Sequence, residues 1–146
     1  MTCDEQVRYS TLVDADALFP ACVAMFTEEV GVSPITHGSR AYRQRINEIV
    51  GLRRSFIRRQ GDEVIFKAEV SSVGNNVAQL QGVWVNPRFR GQGLASAALA
   101  QVVRLVLRDI AGTVSLYANS FNKSALATYQ RVGFEHTDTF ATVLMK

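Results

Sequence analysis

The sequence predicts one α/β domain, of the α+β kind with a mixed sheet, in the order β-α-α-β-β-β-α-β-α-β. Three observations carry that expectation. Two segments of helical periodicity lie near the N-terminus. Three strand-like runs follow, separated only by turn signals, as in an antiparallel meander. A helix, a strand, a helix and a strand then complete a chain of 146 residues, long enough to bury one core without disulfides or a structural metal.

Residues 7–11 form a short opening strand. Asp14 can cap a helix whose apolar positions Leu18, Cys22, Met25 and Phe26 recur at helical spacing, and Gly31 and Pro34 end it. Ser39 starts a second helix with Tyr42, Ile46, Ile49 and Val50 on one stripe, and Gly51 is a natural stop. From Arg54 the period changes. Strands are expected over 55–59, 64–73 and 77–85, with turns at Gly61-Asp62 and Gly74-Asn75-Asn76. Alternation sets Lys67, Glu69 and Ser71 on one face of the middle strand and Phe66, Ala68 and Val70 on the other.

Pro87 and Gly91 interrupt the meander. Residues 94–110 read as a long helix with Leu94, Ala98, Val102, Leu105 and Val106 facing inward, closed by Gly112. Residues 113–118 are a strand of the kind buried on both faces, Asn122 begins another helix ending at Gly133, and 136–145 is a final strand. Nothing repeats and no linker intervenes, so residues 1–146 are expected to be a single domain.

Composition narrows the function classes. The net charge is +3, and Arg40, Arg43, Arg45, Arg53, Arg54, Arg58 and Arg59 crowd one stretch. No aromatic-rich RNA-binding strand or recognition helix accompanies them, so solvated helix and strand faces are favoured over nucleic-acid binding. An anionic cofactor, substrate or partner lying nearby is the functional alternative. No apolar run long enough for a membrane span exists, and the first 20 residues carry acids and polar groups, so a soluble cytoplasmic protein is expected. Cys3 and Cys22 suggest neither a disulfide framework nor a metal cluster.

The most informative segment is 83–95, Val-Trp-Val-Asn-Pro-Arg-Phe-Arg-Gly-Gln-Gly-Leu-Ala. A strand, a corner, a glycine-flanked turn and a helix start succeed one another there. The first amides of a helix lack carbonyl partners, and the helix dipole draws a pyrophosphate to that end. Gly91 and Gly93 let phosphate oxygens approach, and Arg90, with Arg88 beside it, can add positive charge. A dinucleotide fingerprint would need a third small residue where Ser96 stands and an acid about 20 positions on, and a Walker loop would need Gly-Lys-Ser or Gly-Lys-Thr. By itself the segment points only to a phosphate-bearing ligand.

Arg90-Gly91-Gln92-Gly93-Leu94-Ala95 is similar to the R/Q-x-x-G-x-G/A signature of the GNAT N-acetyltransferase superfamily. Asn122, Ala125, Tyr129 and Gly133-Phe134 resemble that family's N-x-x-A-x-x-x-Y-x-x-x-G-F pattern. The strong resemblance covers 78–134. Residues 25–33, Phe66-Lys67-Ala68-Glu69 and 81–87 also look like an uncharacterised bacterial GNAT subfamily whose domain closes a longer chain, which would imply a missing N-terminal companion.

The resemblance implies acetyl-CoA, or another acyl-CoA, as cosubstrate, no metal, and transfer to a small-molecule or peptide amine in a ternary complex. A non-catalytic acyl-CoA-binding regulatory domain is the competing reading, and a homodimer stays open. It implies that main-chain groups of Trp84 and Val85 contact pantetheine, that the amides of Arg90, Gly91, Gln92, Gly93, Leu94 and Ala95 hold the pyrophosphate, and that Asn122, also a good helix cap, touches the pantetheine arm. Tyr129 would protonate the departing thiolate, with a packed core tyrosine as the plain alternative.

The base is less evident: Glu69 is the first candidate, against a solvated or ion-paired role. Gln79 and Gln81 stand where many relatives carry an acid. Cys22, His37 and His136 are expected to be structural or solvent-facing rather than catalytic.

Overall fold

The computed structural model describes residues 2–36, 38–117, 123–136 and 142–145, the backbone alone for His136 and 142–145. The strands are β1 (Arg8–Tyr9), β2 (Ser55–Gln60), β3 (Glu63–Gly74), β4 (Val77–Val85), β5 (Thr113–Tyr117), β6 (Glu135–His136) and β7 (Thr142–Met145). The helices are α1 (Ala15–Val30), α2 (Arg40–Gly51), α3 (Leu94–Asp109) and α4 (Lys123–Val132), with 3₁₀ turns at Leu12–Asp14 and Pro87–Phe89. The sheet runs β1-β2-β3-β4-β5-β7-β6. Every neighbouring pair is antiparallel except β4 with β5, which is parallel because α3 carries the chain back along the sheet.

The sheet separates two cores. On one face Phe56, Phe66, Ala68, Val70, Ala78 and Leu80 pack against Leu99, Val102 and Val106 of α3, and Tyr129, Val132 and Phe134 close that layer. On the other, Ile57, Val64 and Trp84 pack against Leu18 and Cys22 of α1 and Ile46 and Val50 of α2. Alternation along a strand supplies both layers at once. The β3–β4 register shifts twice, once where Ser71 of β3 is extra and once within β4: Glu69 pairs with Gln81 but Lys67 pairs with Trp84, so Ala68 alone of β3 opposes Gly82 and Val83. This bulge at Gly82 reverses the parity of the strand. Ala78 and Leu80 face α3 before it, and Val83 and Val85 do so after it, leaving Trp84 to the helical layer of α1 and α2.

Several expectations change in detail. Asp14 does not cap α1 through its side chain. Its carboxylate is 1% exposed and accepts both Arg8 guanidinium nitrogens (2.7 and 2.9 Å), Arg59 Nη1 (2.9 Å) and the Thr11 amide (2.8 Å). It thereby ties β1, β2 and the entry to α1 together.

Gly51 lies inside α2, and the chain reverses at Arg53, whose φ of 57° is held with its guanidinium over the Tyr9 ring. The expected last strand is two strands, β6 and β7, paired antiparallel. The long helix ends at Asp109, and β5 buries Val114, Ser115 and Leu116 in succession, as a central strand requires.

Hydrogen bonds from Arg8, Thr11 and Arg59 hold the Asp14 carboxyl well below the usual carboxylate range. A lowered folded value means that this stabilisation is complete above the unfolded pKa, about 3.9, and is lost as pH falls below it. Asp14→Asn should therefore lower stability at pH 7 by about 3 kcal/mol, the scale for removing one partner of a buried ion pair. Urea unfolding should show the deficit narrowing at pH 3.

Candidate active site

The parallel pairing of β4 with β5 runs from Val77↔Thr113 to Leu80↔Leu116 and stops there, one residue before Gln81 enters the bulge. Beyond that point β4 has no strand partner on its β5-facing edge among the described residues. A cleft of about 660 Å³ opens at the splay. Val83, Trp84 and Val85 form its floor, the start of α3 one wall and α4 the other, and Met25, Glu28 and Glu29 reach in from α1.

At the α3 end the local sequence leaves donors unsatisfied. Gly91 and Gly93 take φ of 77° and 76°, the left-handed region that β-carbons disfavour, and this turns successive amides toward the cleft. Among the described residues the backbone N–H groups of residues 91–95 donate no hydrogen bond. The first turn of α3 carries no acid, and Gly93 offers no side-chain cap. The positive end of a 16-residue helix therefore opens on the cleft uncompensated. An ideal Cβ at Gly91 or Gly93 would meet nothing within 4 Å, so these glycines are required by backbone angle rather than by crowding.

The arginines divide differently from expectation. Arg90 lines the cleft, but its Nε donates to the Val85 carbonyl (2.9 Å) and its Nη2 to both Glu28 oxygens (3.1 and 3.0 Å). Arg88 does not join it, pairing instead with Glu63 at 2.6 Å. Arg131 on α4 lines the cleft and donates to Ser96 Oγ at 3.2 Å. Sequence reading missed it, although it stands two residues beyond Tyr129 in the second motif. Gln92 is exposed and outside the cleft lining, and Leu94 and Ala95 are within it. Asn122 lies outside the described residues, as does His37.

Tyr129 lines the same cleft from α4. It is 8% exposed, its ring edge-on to Phe134, and its hydroxyl has no hydrogen-bond partner among the described residues. Burial, and secondarily the Glu29 carboxylate, push its phenol up, so at neutral pH it holds its proton. It is thus a packed core tyrosine that keeps its proton and lines the cleft.

Glu69 does not line this cleft. It lines an adjoining pocket of about 310 Å³ between α1, α2 and the sheet, and the two spaces meet at Met25 and Glu29. Gln81 Nε2 lies 3.3 Å from Glu69 Oε1. Beside it the fully buried Lys67 donates from Nζ to the Gly82 carbonyl at 3.0 Å. Glu29 was also missed, yet Cys22, Met25 and Glu29 fall at i, i+3 and i+7, one helical face. Cys22 lines the same pocket, where burial pushes its thiol up and withholds a nucleophilic thiolate. No metal-binding cluster of His, Cys, Asp or Glu occurs among the described residues, and no helix among them is long and apolar enough to cross a membrane.

Gly82 lines the Glu69 pocket and precedes Val83 of the cleft floor. Its φ is 61°, and a Cβ there would lie 2.8 Å from Glu69 Oε1 and 2.9 Å from Lys67 Nζ. Gly82→Ala should lose about 1–2 kcal/mol from the left-handed backbone alone and force both side-chain tips to move. Denaturant titration measures the loss, and unchanged stability would show that the bulge is not held as described.

The sequence profile of the acetyltransferase (GNAT) family matches residues 20–134. The chain is 31% identical over 62 residues to an uncharacterized N-acetyltransferase of Methanocaldococcus jannaschii, covering 42% of this chain and 27% of that protein. It is 33% identical over 78 residues to GCN5-related N-acetyltransferase 2, chloroplastic, of Arabidopsis thaliana, covering 53% of this chain and 29% of that protein. Less than a third of either curated relative is therefore spanned. The crystal structure of the PaiA N-acetyltransferase from Thermoplasma acidophilum in complex with coenzyme A shares the fold, with a TM-score of 0.68 at 15% identity over 94% of this chain and 95% of that one. A profile match that runs from within α1 through α4 and takes in the residues lining the cleft makes the assignment direct: the chain belongs to the acetyltransferase (GNAT) family.

Proposed function

We propose that this domain is an N-acyltransferase that moves an acyl group, acetyl first among them, from acyl-CoA to a primary amine while both are bound. The observation that carries the reading is that one cleft is lined both by backbone amides that donate no hydrogen bond and by a tyrosine whose hydroxyl has no partner among the described residues. Family membership and the coenzyme A held by the PaiA structure support it.

In this reading the amides of residues 91–95 receive the pyrophosphate, aided by Arg131 and by Arg90 once its Glu28 pairing is shared or released. The free edge of β4 at Trp84 and Val85 receives the pantetheine amides, with Asn122 touching the same arm as the family resemblance implies. The thioester supplies the acyl group. An amine arrives mostly protonated at neutral pH, so a carboxylate must take its proton before attack. Glu69 is the proposed base, directly or through water ordered by Gln81, and Glu29 stands where the two pockets meet. Tyr129 donates its Oη proton to the leaving sulfur. Two free cysteines, one of them buried, suit a reducing compartment such as the cytoplasm.

Thermal unfolding with acetyl-CoA, ATP and NAD tests the donor: only CoA compounds should stabilise, by about 2.7 kcal/mol at 100 times the dissociation constant. No response to any CoA ester would remove the reading. Tyr129→Phe should lower kcat by about 10²–10⁴-fold with CoA affinity retained. Because the phenol is raised above its ordinary value, no loss of rate from its ionisation should occur below about pH 10. If thiol release stays silent across an amine panel while CoA still binds, the domain is a sensor and not a transferase.

A further inference from the structure

The arginine cluster singled out in the sequence is only partly absorbed by packing. Arg43 lies over the Phe19 ring at 3.8 Å and faces Asp16 at 3.7 Å, and Arg53 covers the Tyr9 ring. Arg58 pairs with Asp4, and Arg59 with Asp14 and Asp62. Arg45 and Arg54 have no ion pair and no side-chain hydrogen bond among the described residues. These two, from α2 and from the residue preceding β2, line one groove of about 330 Å³ along the outer half of β3. Glu48 is the one acid in that lining, against two guanidinium groups.

This groove is continuous with the pocket that holds Glu69. Arg45, Ile49 and Gln81 line both, and that pocket in turn meets the cleft at Met25 and Glu29. Glu29 and Glu69 line the pocket beside the cleft, and neither is ion-paired among the described residues. Arg45 lines both that pocket and the groove, and Arg54 lines the groove. Carboxylates toward the cleft and guanidinium groups toward the groove, none of them ion-paired among the described residues, match a ligand that carries the complementary pair.

Strand register relates the two groups. Glu69 pairs with Ser55, and the Val70 amide bonds the carbonyl of the preceding Arg54, so the Arg54 backbone lies one residue along the sheet from Glu69 and the Arg54 side chain lines the groove from there.

We propose that the acceptor is a primary amine whose far end carries an anion, in the manner of an ω-amino carboxylate. Its ammonium sits between Glu29 and Glu69, and its carboxylate meets Arg45 and Arg54. The role of that amine as acceptor rests on the acyl-transfer reading above, whereas the binding preference does not.

The test compares 6-aminohexanoate with hexylamine, 1,6-diaminohexane and hexanoate at low salt, by calorimetry with CoA present and by thiol release from acetyl-CoA. 6-Aminohexanoate should bind most tightly and show kcat/KM roughly tenfold above hexylamine, carried by KM, as expected for charge pairs partly shielded from solvent. The advantage should vanish in the double variant Arg45→Gln with Arg54→Gln and return in Arg45→Lys with Arg54→Lys. Equal affinity for hexylamine and 6-aminohexanoate, or a preference for the diamine, overturns the proposal. If acetyl-CoA does not bind or no amine is acylated, the transferase reading falls, and the calorimetric ranking still decides the acceptor class.

Discussion

The hydrogen bond from the Lys67 ammonium to the Gly82 carbonyl holds the point on which the architecture turns. Lys67 is 1% exposed, so its charge is kept out of water and must be answered locally. The Gly82 carbonyl answers it directly, and the Glu69 carboxylate closes over the same glycine. A side chain at Gly82 would occupy the space that both tips use. The bulge is therefore a buried polar cluster built around a missing Cβ, and its position is specified from β3 as much as from β4.

The cleft follows from that reversal of parity. Before the bulge β4 is an ordinary central strand, paired on both sides and buried against α3. After it, the strand keeps β3 and leaves β5, which frees one backbone edge and opens a space that α4 cannot fill. Trp84 is turned to the opposite layer, where its indole N–H reaches Glu28, and Glu28 in turn holds Arg90. Through this chain of contacts the bulge, α1 and the loop before α3 fix one another. The start of α3 is thereby presented to the cleft with its amides unsatisfied.

Charge is distributed along the same logic. Where charges serve the fold they are buried and matched, as Asp14 is by Arg8, Arg59 and Thr11. Where they line the path from cleft to outer groove they form no ion pair among the described residues: Glu29, Glu69, Arg45 and Arg54. The ligand proposed above would bridge them.

The sequence by itself determined the order of elements, the meander and its turns, the glycine turn ahead of α3, and the family through two spaced motifs. These are local properties: periodicity, turn chemistry and helix-end donors are written in neighbouring residues. Tyr129 was legible as a residue, and so was Glu69 as an acid on the face of its strand opposite Phe66, Ala68 and Val70.

The tertiary structure decided what each of them meets. Arg90 is engaged by Glu28 from 62 positions away, Arg88 turns to Glu63, and Arg131 rather than Arg88 lines the cleft, because ion pairing is settled by distance in space. Alternation alone could not foresee that an extra residue at Gly82 would reverse β4, since a bulge depends on its partner strand. Nor could it show that two of seven clustered arginines are left to one groove, because the acids and aromatic rings that occupy four of the others come from distant parts of the chain.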